Sequence, residues 1–171
     1  MRSYSAELPP HYSRLPSGLI VEKDQFRERV HYKGHWKFEL FGPDGKLKDV
    51  REKVNLITTV GFQQIADALF NVASRPACAQ YIGVGTGVTA ANIADTTLQT
   101  ESLRKTCSYG YASKVSTLAS TFNAGEATGA LTEAGVLSAS SAGLLLNHVI
   151  YSVINKGALD VMTVTFTFTE S

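Results

Sequence analysis

Through most of this chain apolar and polar residues alternate in short runs, each closed by glycine, proline, asparagine, aspartate or serine. His35-Trp36-Lys37-Phe38-Glu39-Leu40-Phe41 alternates as a half-buried strand requires, with Trp36 as a core anchor. Gly42-Pro43-Asp44-Gly45 supplies turn chemistry. Lys46 to Val54 then reads as the return strand of a hairpin, its Lys, Arg and Glu side chains forming a solvated face. At the other end, Val161, Thr163, Thr165, Thr167 and Thr169 share one face, while Met162, Val164, Phe166 and Phe168 share the other. Ala79 to Val84, Thr106 to Leu118, Gly125 to Thr132, Ala134 to Ser138 and Leu144 to Ile154 supply further strands.

Only one segment carries a helical period. Phe62, Ile65, Ala66, Leu69 and Phe70 recur at steps of three and four, behind a cap at Thr58 or Thr59. They predict a short helix over about residues 59–73 that lays an apolar stripe on the core and stops before Ser74-Arg75-Pro76. Many short strands and one helix predict a mainly β fold, an antiparallel β-sandwich or jelly-roll-like barrel over 34–171.

Residues 1–33 read as an extended N-terminal arm. Pro9, Pro10 and Pro16 remove backbone donors and favour polyproline-like chain, with no strand or helix period. Tyr4, Leu8, Tyr12, Leu15, Leu19 and Ile20 alternate with those prolines, an apolar content that points to docking on a partner. The expected interface residues are therefore Tyr4, Leu8, Pro9, Pro10, Tyr12, Leu15, Leu19 and Ile20.

Charge changes the picture. Residues 1–54 hold eleven Lys and Arg and eight Asp and Glu, whereas 55–171 hold five and seven. Twelve charges in those 117 residues is far below the usual ~25%, and Ser, Thr, Ala and Gly take their place. A charge-poor exterior is the surface of a subunit inside an assembly. The net charge of +1 gives no field to steer the chain to nucleic acid, and basic arm residues are interleaved with Glu7, Glu22, Asp24 and Glu28. No apolar run has membrane-spanning length and the first residues lack a secretory apolar centre, so the chain is expected to fold in a reducing cytoplasm, with no membrane partner.

Candidate chemistry is thin. Gly83-Val84-Gly85-Thr86-Gly87 has Val88 where a dinucleotide fingerprint needs glycine and lacks the Gly-Lys-Ser/Thr of a P-loop, so it reads as a loop after a strand. His11, His31, His35 and His148 have no ligand or carboxylate at a metal-binding step and read as surface or interface residues. Cys78 and Cys107 read as small buried apolar side chains. Ser138, Ser140 and Ser141 lack a nucleophile elbow, and Glu126 and Glu133 pair only if a fold is assumed. The expectation is a non-enzyme with no catalytic residue, cofactor or metal.

The order of motifs does resemble a known group. Asn55-Leu56-Ile57-Thr58-Thr59-Val60-Gly61, Tyr81 to Gly87, Glu101 with Arg104-Lys105, and Thr121-Phe122 occur in turn. Gly125 to Gly129, Leu131 to Leu137, Val153 to Lys156 and the threonine-alternating end complete the series over residues 36–169. This series resembles a group of tailed-bacteriophage virion proteins, β-rich subunits found as capsid decoration or cement proteins and as neck, collar or tail-associated components. The resemblance implies a place in the virion, a homo-oligomer (trimer or dimer), and the major capsid protein or other virion proteins as partners. A host-recognition, glycan-binding module is the rival outside that class, and would need exposed aromatics such as Trp36, Tyr109 and Tyr111 beside a groove.

Overall fold

A computed structural model of the chain describes residues 12–14, 17, 20–22 and 32–170. The chain divides into two compact units, Met1–Val30 and His31–Ser171. In the first, β1 (Tyr12–Arg14) and β2 (Ile20–Glu22) pair antiparallel, with Tyr12 opposite Glu22 and Arg14 opposite Ile20. This part of the expected arm is thus a strand ribbon rather than polyproline-like chain; neither strand contains proline, so no donor that faces the partner strand is missing. Tyr4, Leu8, Pro9, Pro10, Leu15 and Leu19 lie outside the described residues.

The second unit is an open β-sandwich. Its strands are β3 (Tyr32–Phe41), β4 (Leu47–Val54), β5 (Leu56–Ile57), β6 (Tyr81–Gly85), β7 (Glu101–Thr106) and β8 (Ser108–Ala112). β9 (Val115–Phe122), β10 (Gly129–Leu137), β11 (Leu145–Lys156) and β12 (Val161–Glu170) complete it, and α1 (Thr59–Phe70) is its helix. One five-stranded antiparallel sheet runs β4-β3-β12-β9-β8 and the other β5-β11-β10-β6-β7. Neither closes on itself, so of the architectures that alternation allows, the sandwich is the one adopted.

Strand alternation sets the core directly. Trp36, Phe38 and Leu40 of β3, Met162, Val164 and Phe166 of β12, and Phe122 of β9 are all buried. They meet Ile82 and Val84 of β6, Leu131 and Val136 of β10, and Val149, Tyr151 and Ile154 of β11. Phe38 stacks on Tyr151 of the facing sheet at a centroid distance of 4.0 Å, joining the two layers, while Trp36 packs at a tilt against its in-sheet partner Phe166 at 5.0 Å. The threonine row of β12 faces away from this core, as its period requires.

Among the described residues no helix is long and apolar enough to cross a membrane. α1 starts at the expected cap, Thr58, whose Oγ1 accepts the Gly61 amide at 3.0 Å and donates to the Leu145 carbonyl at 2.5 Å. Its packing departs from the expectation. The buried helix residues are Gly61 and Gln64, while Phe62, Leu69 and Phe70 are 47%, 64% and 80% exposed. Gly61 sits so close to β11 that a Cβ there would lie 2.0 Å from the Leu146 carbonyl oxygen. Gln64 Nε2 donates to the Ala77 carbonyl at 3.0 Å. Backbone proximity at Gly61 and these polar ties fix the rotation of the helix, and only Ile65 of the apolar stripe packs on the core.

Candidate functional site

The segment 86–100 joins β6 to β7 without regular structure and covers the outer face of the second sheet. There Leu98 packs on Leu137 and Leu145 in a small core of its own, with Tyr81 at its margin. Beneath the segment lies a charged node. Glu133 of β10 and His148 of β11 are both fully buried, with Glu133 Oε2 3.1 Å from His148 Nε2. His148 Nδ1 lies 2.6 Å from Asp95 Oδ2 in the covering segment. A carboxylate oxygen at each ring nitrogen favours the doubly protonated ring, and the geometry is that of an imidazolium held between two carboxylates.

Backbone amides complete it. Glu133 Oε1 accepts from Gly87 at 2.9 Å and Thr100 at 2.7 Å, and Oε2 accepts from Gln99 at 2.9 Å. A Cβ at Gly85 would stand 2.5 Å from Glu133 Oε1, and one at Gly87 2.6 Å from its carboxyl carbon. The glycine run therefore does let amides reach an anion, and that anion is the chain's own carboxylate. Burial alone would raise the Glu133 pKa, but the hydrogen bond from His148 and the amides of Gln99, Thr100 and Gly87 outweigh it and hold it at about 2. Burial likewise works to lower His148, and its hydrogen bonds to Glu133 and Asp95 reverse that and raise it. Every ring nitrogen and carboxylate oxygen of the His148–Glu133 pair is engaged within the fold, which makes the pair an anchor for segment 86–100.

A second polar node ties the β11–β12 turn. Buried Lys156 donates to the carbonyls of Asp160 at 2.6 Å and Asn123 at 2.9 Å. The Asp160 carboxylate accepts from Lys48 at 2.8 Å and from the Gly157 amide at 2.9 Å. Burial lowers the Lys156 pKa, while the Lys48 hydrogen bond, followed by the Gly157 amide, lowers that of Asp160. Glu126 accepts from Lys105 at 2.6 Å and from the Asn123 amide at 2.7 Å. Glu126 and Glu133 thus belong to separate networks and do not act as a carboxylate pair.

These positions correct two expectations. His148 is an interior residue, paired through tertiary structure with carboxylates 15 and 53 positions away. Cys78 is exposed and Cys107 partly buried, because the stretch before β6 leaves one end of the sandwich open. There Cys78, Ala79, Cys107, Tyr109, Leu118 and Phe168 line an apolar cleft of about 500 Å³. Trp36 is in the core, whereas Tyr109 and Tyr111 are 69% and 62% exposed. Among the described residues no cluster of three or more His, Cys, Asp or Glu is disposed to hold a metal.

Several large apolar side chains are exposed. Val54, Leu56, Phe62 and Ile93 surround a hollow of about 290 Å³ at the β4–β5 corner. Leu69 and Phe70, with Val72 just beyond α1, continue the apolar exposure along the helix. The family profiles, curated proteins and solved structures compared with the chain give no match.

Proposed function

We propose that this chain is a structural subunit of a tailed-phage virion, most naturally a capsid decoration or cement protein, which acts by burying surface against neighbouring subunits. The observation that carries the reading is the exposed apolar surface formed by Val54, Leu56, Phe62 and Ile93 at one corner and by Leu69, Phe70 and Val72 along α1. Large exposed apolar side chains grouped in this way mark protein contact surfaces. The occupant proposed for it is the major capsid protein, whose repeated lattice supplies many equal sites and hence avidity. Binding to the assembled shell alone stabilises that shell by mass action and needs no reaction centre.

The sequence series that resembles phage virion proteins supports the same reading. Several of its members meet in space: Gly85, Gly87 and Glu133 form one node, and Glu126, Lys105 and Lys156 hold the neighbouring turn. A cement protein needs a stiff core, and such buried, fully paired anchors supply stiffness. The apolar and proline-rich residues Tyr4, Leu8, Pro9 and Pro10 are proposed to add a reaching contact on the capsid protein or an adjacent copy.

The test is to image the intact particle of the phage that encodes the chain. Copies repeated over the head lattice match decoration, and a single ring at the portal end moves the protein to the neck or tail. Absence from the particle overturns the proposal. A second reading, a glycan-binding module for host recognition, draws on exposed Tyr109 and Tyr111 beside the apolar cleft. Specific binding on a glycan array, with no copies in the particle, would replace the first reading with it.

A further inference from the structure

The two sheets of the sandwich have four outer strands, and three of them are protected against pairing with another chain. β4 carries Lys48, Asp49, Arg51, Glu52 and Lys53 among eight residues. β7 carries Glu101, Arg104 and Lys105 among six, and β5 is only two residues long. Charge and shortness are the usual devices that keep an edge from recruiting a strand. β8, Ser108-Tyr109-Gly110-Tyr111-Ala112, has neither charge nor proline, and all five of its residues are exposed.

Gly110 makes this edge unusual in a second way. A glycine inside a strand costs up to about 1 kcal/mol of stability, and is normally kept for a special backbone angle or a close neighbour. Gly110 has no positive φ, and a Cβ built on it would meet nothing within 4 Å. Nothing among the described residues accounts for it. A backbone approaching from outside would.

The sequence of the strand says which backbone. Ser-Tyr-Gly-Tyr-Ala is nearly symmetric about Gly110, so β8 laid antiparallel on β8 of a second copy sets Gly110 opposite Gly110 and Tyr109 opposite Tyr111. Both tyrosines project on the face that β9 turns to the interior, since Tyr109 stands opposite buried Leu118. Aromatic residues directly opposite across a strand pair stabilise it, and here two such pairs would also cap the apolar cleft beside Tyr109 in each copy. The hairpin that presents β8 is tight: Ser113 and Lys114 both hold positive φ, 46° and 68°, which fits the twist of a two-residue turn at a local cost in backbone strain.

We propose that the chain forms a two-fold dimer by antiparallel pairing of β8 with β8 of a second copy, centred on Gly110, so that two five-stranded sheets become one continuous sheet across the axis. Of the proposed virion role it uses only self-association, and it stands or falls separately. Sedimentation of the full chain is expected to give twice the 18.4 kDa monomer mass. Gly110→Lys meets no neighbour among the described residues but sets two ammonium groups against each other at the axis. It is expected to sediment as a monomer with unchanged circular dichroism.

Gly110→Cys, made with Cys78→Ser, gives an independent readout. Cα atoms paired across an antiparallel ladder lie about 4.5–5.5 Å apart, within disulfide range, so mild oxidation is expected to cross-link it as a dimer. The same change at Lys48 on β4 is expected to give none. A monomeric wild-type chain, a trimer, or a Gly110→Cys chain that fails to cross-link would overturn the β8 pairing, even if Gly110→Lys proved unable to fold. A cross-linked dimer from a protein absent from the particle would uphold the pairing and overturn the virion role.

Discussion

Glu133 and His148 meet diagonally across adjacent strands, β10 and β11, with Glu133 opposite Ile150 and His148 opposite Gly135; their side chains are 3.1 Å apart and both wholly shielded from water. Neither charge would be tolerated there alone. Each offsets the burial of the other, while the amides of Gly87, Gln99 and Thr100 take up the remaining carboxylate lone pairs.

Removing one side of this pair should therefore cost much more than removing a surface charge. Glu133→Gln is expected to destabilise the sandwich by about 3–5 kcal/mol, the usual cost of leaving a buried ion without its partner. Urea unfolding measures it. Segment 86–100 should lose amide-exchange protection before the core strands do, because its amides are held by that carboxylate. A loss under 1 kcal/mol would mean that the node is not an anchor.

The same pair sets a pH optimum of stability. Glu133 is lowered in the fold from 4.5 to about 2, so its contribution is complete above about pH 4.5 and fades as pH falls toward 2. His148 is raised above 6.5, so its contribution is complete below about pH 6.5 and is lost as pH rises through the raised value. The melting temperature should peak between these limits and decline on both sides. His148→Gln should flatten the alkaline decline, and a decline identical to wild type would assign it to other groups.

The seat of α1 rests on Thr58 and Gly61. Thr58→Ala removes the cap and the bond to Leu145, an expected loss of about 1–2 kcal/mol by thermal or urea unfolding. Gly61→Ala drives a methyl into the Leu146 carbonyl and should cost at least as much, although alanine is the better helix former. Equal or greater stability in Gly61→Ala would show that the helix can lift off β11 freely.

Phe70→Ser tests the exposed helix face by the opposite signature. At 80% exposure it supports no core, so stability should change by less than about 0.5 kcal/mol. Occupancy on purified heads, read by gel densitometry, should fall. Full occupancy would remove α1 from the proposed capsid contact.

Deleting residues 1–20 addresses the proposed arm. The core of the His31–Ser171 unit lies within that unit, so the truncated chain should remain folded by circular dichroism while losing hold of the particle. Unchanged occupancy would defeat the arm.

Most strands of the sandwich are legible in the sequence because alternation with period two is a local property. The pattern does not predict β7, however, Thr106 to Leu118 is broken into β8 and β9 by the turn at Ser113 and Lys114, and the two runs between Gly125 and Ser138 form the single strand β10. Trp36, Phe38, Met162, Val164 and Phe166 face the core that their spacing predicts. The Thr58 cap was legible for the same reason, since the cap and the amide it serves lie three residues apart. What escaped was long-range. The helix stripe reads as a core face, yet a 2.0 Å constraint at Gly61 turned most of it to solvent. His148 reads as a lone surface histidine, because nothing near it in sequence hints at Glu133 or Asp95.

By itself, then, the sequence determined where most of the strands run and which of their faces are apolar, because these follow from backbone geometry over a few residues. Only the tertiary structure decided which charges are buried together, which way the helix turns and which edge is left open at β8. Those depend on groups brought together from distant parts of the chain, where strand order and close backbone contact outweigh local periodicity.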